Sequence, residues 1–333
     1  MFFMLQKKGV SMLRQLQFAK FIMACVVVSS SLGLGVPAAH AMGSGDKTPP
    51  GYTQTNYPIM LAHGLFGFNQ ALFIDYFYGV KSTLEKSGAT VYASTVSAAN
   101  SSEYRGEQLL AELRRLSAAH GHKKFNLIGH SHGSHSVRYV AAVAPDLVAS
   151  VTVIGGPNHG AAVADWIGQN LKDTPLLRMV ISTIVNIAGG VVSFTSTGQI
   201  LSQDSLAALN SLSSKGAMEF NRRFPQGMPT TWCGQGPSVV KGIRYYSATG
   251  VPKSGWTLDP SDLALLGVKA IFEPDGDGLV GRCSAHWGQV IRDDFNWNHA
   301  DEINQVLGVK RTEATDTLAF YRTHVNRLKE AGL

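Results

Sequence analysis

Gly129-His130-Ser131-His132-Gly133 is the segment of this chain best suited to chemistry. It matches G-x-S-x-G, and an apolar strand precedes it while a helix follows. In that setting a sharp strand-to-helix turn lifts the hydroxyl above a sheet, and the flanking glycines let strand and helix approach closely. The helix N-terminus beneath the serine favours developing negative charge. A serine is a poor nucleophile until a base takes its proton, and the base needs an acid to fix its tautomer. Three histidines follow both the serine and a suitable acid: His286, His299 and His324. His324 falls in a C-terminal helical stripe and His286 sits beside Cys283. His299 lies in the polar run Asn298-His299-Ala300-Asp301, as expected of a loop-borne base. For the acid, Asp275-Gly276-Asp277-Gly278 is a turn able to aim a carboxylate at the same face, and spacing does not choose between Asp275 and Asp277. A metal cluster of His130, His132 and His135 is disfavoured, because alternating side chains on a tight turn diverge.

These groups need a frame to hold them. Residues 57–62 read as a buried strand running into His63-Gly64, and 90–96 as a second strand. Residues 107–119 carry Leu109, Leu113 and Leu116 on one helical face. A third strand is expected at 125–128, a helix at 137–144 stopped by Pro145, and a fourth strand at 151–154. Leu318, Tyr321, Val325 and Leu328 form a last amphipathic stripe, with Asp316 as N-cap and Gly332 as C-terminal stop. This rhythm predicts a parallel sheet covered by helices on both faces.

The chain has 333 residues, 44% hydrophobic and 16% charged, which excludes disordered and collagen-like classes. Its +6 charge is largely N-terminal. Lys7, Lys8, Arg14 and Lys20 lie in the first 41 residues, which hold no acid, so the remainder carries only +2. That charge argues against nucleic acid or any other polyanion as partner. The four cations precede an apolar run at 21–36 and then Ala39-His40-Ala41, the pattern of a secretory signal peptide. The run is short for a membrane span, so the expectation is an exported protein rather than an integral membrane one. Met12 is an alternative start that leaves this unchanged. The expected organisation is a signal peptide at 1–41 and a single domain at 42–333. Cys25 leaves with the leader, and the remaining pair, Cys233 and Cys283, is expected to form a disulfide in an oxidising compartment.

Beyond the serine motif stand Ala62-His63-Gly64-Leu65, Asn126 to Gly133 and Arg138-Tyr139-Val140-Ala141-Ala142. Asp259-Pro260-Ser261, Asp277-Gly278-Leu279-Val280-Gly281, Val290-Ile291-Arg292-Asp293, Asn298-His299 and Asp301 to Val306 follow. Together these stretches resemble the true lipases secreted by Pseudomonas and Burkholderia. The resemblance implies an α/β-hydrolase fold with a helical lid, triacylglycerol hydrolysis, and a triad of Ser131, Asp277 and His299. It places an oxyanion hole at the backbone N–H groups of Leu65 and His132. It also implies one structural Ca²⁺ held by Asp259, Asp301, Gln305 and Val309, the last two through carbonyls. Hard oxygen donors of this kind suit that ion. Without the resemblance, Asp259 reads as the start of an Asp-Pro turn and Asp301 as a helix cap.

The resemblance makes residues 175–192, within a lid region of about 165–200, an apolar cover for the serine with Gly189-Gly190 as hinge. Periodicity alone equally allows a buried helix. It further implies a lipid ester substrate at an oil–water interface, a dedicated foldase during export through the periplasm, and an extracellular destination. Gly133-Ser134-His135-Ser136 and Pro157-Asn158-His159-Gly160 depart from the family's pattern beside the active face. Two rivals remain: a carboxylesterase or polyester depolymerase on the same triad, and a non-catalytic exported binding protein. Intact Ser131, Asp277 and His299 argue against the second.

Overall fold

The computed structural model describes residues 48–333 except 66, 68–69, 72–73, 171–200, 254–258, 306 and 312. The expected leader at 1–41, Cys25, the lid segment 175–192 and the Gly189-Gly190 hinge lie outside the described residues.

The chain alternates strands and helices in the order β1 (Ile59–Ala62), β2 (Gln70–Ala71), β3 (Ile74–Asp75), α1 (Val80–Lys86), β4 (Val91–Ala93), α2 (Ser102–His120), β5 (Phe125–His130) and α3 (Gly133–Val143). It continues with β6 (Val148–Ile154), α4 (Ala162–Gln169), α5 (Ser205–Leu212), α6 (Ser214–Arg223), β7 (Val239–Val240), β8 (Ile243–Gly250), α7 (Pro260–Phe272), β9 (Gln289–Phe295) and α8 (Thr317–Glu330). The strands β4, β1, β5, β6, β8 and β9 pair in parallel in that spatial order, and β7 adds antiparallel to the start of β8.

Alternation along each strand builds a core on both faces. Ile59 and Leu61 of β1 pack with Ile128, Ile154 and the α8 stripe of Tyr321, Val325 and Leu328. Met60 and Ala62 turn the other way, onto Leu127, Val151 and the α2 and α3 residues Leu109, Leu113, Val137 and Val140. Because both faces are covered, every residue of β1, β5 and β6 is buried. The helix expected at 107–119 extends to Ser102–His120, capped by the Ser101 side chain at its start and by Gly121 in the left-handed region at its end. Asp316 caps α8 by accepting from the Ala319 N–H.

The chain leaves β1 towards β4 on one side and returns to β5 on the other. Strand order therefore reverses between β1 and β5, and the crevice outside the carboxyl ends of such strands is where open α/β sheets bind ligands. The loop after β1 and the turn after β5 both open there.

Candidate active site

Strand β5 ends at His130 and helix α3 begins at Gly133, so Ser131 sits in the turn between them with φ 54°. A non-glycine residue held there costs about 1–3 kcal/mol and persists only where its surroundings impose it. Here they do. The Ser131 N–H donates to the Ile154 carbonyl at 2.9 Å, and its own carbonyl accepts from the Ser134 N–H at 3.0 Å. A Cβ on Gly129 would lie 2.5 Å from the Gly133 carbonyl oxygen, and one on Gly133 would strike the Ala62 carbonyl. Only glycine lets β5, α3 and β1 meet this closely.

The expected acid and base come together from two loops on either side of β9. Asp277 Oδ2 lies 2.7 Å from His299 Nδ1, and the Asp277 carbonyl accepts from the His299 N–H at 2.9 Å. The other carboxylate oxygen accepts from the N–H groups of Leu279 and Val280, both at 2.8 Å. Asp277 is fully buried whereas Asp275 is exposed, so of the two carboxylates left open by spacing it is Asp277 that the fold sets beside His299. The other histidines are engaged elsewhere. His324 binds Thr152 Oγ1 at 2.7 Å, and His286 binds Asp293 at 2.9 Å.

Ser131 and His299 line one crevice, with Leu65 and His130 beside them. Its remaining wall is apolar, drawn largely from α4 and α5 through Val163, Ile167, Leu209 and Leu212. An imidazole–carboxylate pair and a strained serine on one apolar crevice suit acyl transfer from an ester with a hydrophobic acyl group.

The comparisons agree. The family model for the α/β hydrolase fold matches residues 57–248. A triacylglycerol lipase of Vibrio cholerae is 47% identical over 94% of this chain and 98% of its own length. One from Burkholderia plantarii is 40% identical over 93% and 95%. The chain belongs to the triacylglycerol lipase family of α/β hydrolases. The crystal structure of Staphylococcus hyicus lipase shares the fold, with a TM-score of 0.56 at 19% identity over 86% of this chain and 98% of that one. Membership makes the protein a serine ester hydrolase.

A second polar network in this lipase-family site joins residues that no sequence motif connects. His130 Nδ1 meets the Tyr76 hydroxyl at 2.7 Å, and His130 Nε2 meets Glu302 Oε2 at 3.1 Å. Glu302 also accepts from the Gly250 N–H at 2.8 Å and the Thr249 hydroxyl at 3.1 Å, and its Oε2 lies 3.7 Å from His299 Nδ1. Burial, then the neighbouring Asp277, holds the Glu302 carboxyl well above its ordinary range. Burial, then the charge of His299, holds His130 well below its own. Ligand atoms of His130, His299 and Glu302 fall within 4.8 Å of one another, a grouping able to hold a metal. Each is already hydrogen-bonded within the site. Of the three histidines expected to diverge, His130 does so, but His132 and His135 converge on the Ser102 hydroxyl, each at 3.0 Å.

Of the four expected calcium positions, Asp301 stands two residues from the base, and Asp259 is close enough to Asp301 to act on its charge. Asp259, expected without a metal to start an Asp-Pro turn, instead caps α7, where its Oδ1 accepts from the Ser261 N–H at 2.7 Å. Asp301 does not cap a helix: its Oδ2 accepts from the Asn298 N–H at 2.9 Å. Its Oδ1 is buried with no hydrogen-bond partner among the described residues. Burial, then Asp262 and Asp259, pushes the Asp301 carboxyl up to about 7. The Gln305 side chain is occupied, donating to the carbonyls of Asp75 and Tyr76, and the Val309 side chain is exposed. Cys233 and Cys283 are joined in a disulfide with Cα atoms 4.4 Å apart.

Proposed function

We propose that the protein is an exported triacylglycerol lipase that hydrolyses long-chain acyl esters through an acyl-enzyme on Ser131. The observation carrying this reading is the strained Ser131 and the Asp277–His299 pair opening on one apolar crevice. His299 Nε2 takes the hydroxyl proton as Ser131 Oγ bonds to the ester carbonyl carbon. Asp277 holds Nδ1–H and steadies the imidazolium. The carbonyl oxygen gains negative charge and is received by the N–H groups of Leu65 and His132, one following the first strand and one following the nucleophile. Collapse breaks the ester C–O bond, and His299 returns its proton to the departing alcohol. Water then repeats the sequence, releasing the fatty acid and free Ser131.

Asp259 and Asp301, with the carbonyls of Gln305 and Val309, would hold one Ca²⁺. An orphaned buried carboxylate oxygen and two carboxyls raised by burial fit a cation that restores their charge. Such an ion would fix the loop carrying His299, two residues from Asp301. The expected lid at about 165–200 would cover the crevice, since α4 and α5, which bracket residues 171–200, already supply its wall. The basic–apolar leader supports export, and the family resemblance supports a route through the periplasm as a single 42–333 domain with help from a foldase. Among the described residues, no helix is long and apolar enough to cross a membrane.

Hydrolysis of emulsified long-chain triacylglycerol against a soluble short-chain ester, in wild type and Ser131→Ala, tests the reading. Wild type should cleave both and prefer the emulsion, and Ser131→Ala should cleave neither. Activity confined to the soluble ester would replace lipase with carboxylesterase. Chelation should lower Tm, and added Ca²⁺ should restore it.

A further inference from the structure

We propose that Ser102 and Arg105, in the first turn of α2, are positioning residues that hold the two oxyanion donors in working geometry, so that the hole is formed before substrate arrives. This rests on the assignment of Leu65 and His132 as donors.

Arg105 is completely buried, and among the described residues no carboxylate pairs with it. Its Nη2 donates to the carbonyls of His63 at 2.5 Å and Gly64 at 3.1 Å, while Nε and Nη1 find no hydrogen-bond partner among the described residues. A buried cation without a counter-ion is costly, and a fold that keeps one has a use for it. Burial lowers the guanidinium only to about 10, so it stays charged at neutral pH. Peptide planarity supplies the use. The Gly64 carbonyl and the Leu65 N–H belong to one trans peptide and point in opposite directions. Tying that carbonyl to Arg105 therefore turns the Leu65 N–H away from α2, and Leu65 lines the crevice. The preceding peptide is gripped in the same manner, with the His63 carbonyl on Arg105 and the Gly64 backbone bonded to the Tyr76 hydroxyl.

Ser102 governs the other donor. Its hydroxyl lies 3.0 Å from His132 Nε2 and 3.0 Å from His135 Nδ1, and it can donate to one ring and accept from the other. His135 Nε2 in turn reaches the Pro157 carbonyl at 3.1 Å. The ring of the residue carrying the second donor is thus fixed to the same helix turn. Residues three apart share a helix face, so one turn of α2 touches both halves of the hole. The positive charge of Arg105 lies close enough to both halves to lower His63 and His132, after burial as the larger cause. It therefore also favours negative charge on the oxygen between them.

The test uses the full chain carrying Arg105→Gln, Arg105→Lys or Ser102→Ala. It measures kcat and KM on a soluble p-nitrophenyl ester, affinity for a trifluoromethyl ketone whose serine adduct presents an oxyanion, and Tm. Arg105→Gln should lower kcat by about 10²-fold, the scale of one lost donor, with KM within about threefold and ketone affinity falling in parallel. Arg105→Lys should recover part of both, and Ser102→Ala should lose several-fold in each. A folded Arg105→Gln that keeps its kcat and ketone affinity while losing Tm overturns the proposal, leaving a merely structural arginine. If neither Arg105 variant folds, Ser102→Ala decides alone, and unchanged kcat and affinity overturn it. Ser131→Ala separates the two levels. If it still turns over, the active-site assignment itself fails; if it is inert while Arg105→Gln is fully active, only the positioning claim fails.

Discussion

Replacing Gly64 by alanine should separate catalysis from folding. A Cβ at this position would lie 2.7 Å from Ser131 Cβ, 2.6 Å from the Tyr76 hydroxyl and 3.2 Å from the His130 carbonyl oxygen. Carbon atoms rest at about 3.5–4.0 Å, so relief requires roughly 1 Å of movement. The turn at Ser131 cannot supply it, because Gly129 and Gly133 lock β5 and α3 against β1. The loop at Leu65, half-buried at the crevice edge, must move instead. A retreat of about 1 Å takes the Leu65 N–H from hydrogen-bonding range to beyond ~3.5 Å of the developing oxyanion. Losing one such donor costs about 2.7–4 kcal/mol of barrier, or ~10²–10³ in kcat. Overpacking should cost a further ~1–3 kcal/mol of stability, visible in Tm. Initial rates on a soluble ester, corrected by fluorophosphonate labelling of competent Ser131, read the first effect, and a thermal melt reads the second. Gly168→Ala is the control: among the described residues its added Cβ meets nothing within 4 Å in α4, so both readouts should hold. A Gly64→Ala protein with kcat within threefold of wild type would refute the placement of the Leu65 donor.

Asp277→Asn removes the carboxylate 2.7 Å from His299 Nδ1 and lets the wrong tautomer form. Its kcat should fall on the order of 10⁴-fold with KM little changed; the same substitution in a Glu302→Gln background measures what the second carboxylate, 3.7 Å from that nitrogen, contributes. Reducing or replacing the Cys233–Cys283 bridge, which closes a sequence separation of 50, should destabilise the fold by about 4 kcal/mol in a denaturant titration at constant ester kcat in the folded fraction. His324 is buried at about 3, so it stays neutral in the fold while its unfolded counterpart takes a proton below about 6.5. The stability linked to it is therefore complete above pH 6.5 and lost as pH falls towards 3. Relative to His324→Gln, wild type should give up about 2 kcal/mol between pH 6.5 and 4.5; a constant difference across that interval would contradict neutral burial.

The sequence by itself determined everything that depends on neighbours along the chain. The serine elbow needs glycine two residues away on both sides, and the cap and stop of α8 are Asp316 and Gly332. The β–α rhythm through residue 154 is local in the same sense, because periodicity records which face of each element is buried. Spacing left Asp275 and Asp277 open and only the resemblance named Asp277; the fold buries Asp277 beside His299 and leaves Asp275 exposed, which a turn sequence does not say. Tertiary structure also brought in Arg105, Ser102, Tyr76 and Glu302, whose partners lie 30 to 172 residues away. One of these left a trace: Arg105 stands four residues before Leu109 on the buried stripe of α2, a charge on an apolar face. A cation in that position costs free energy unless something inside accepts its hydrogen bonds. The pattern announces the cost, and only the folded chain shows that the acceptors are the carbonyls of His63 and Gly64.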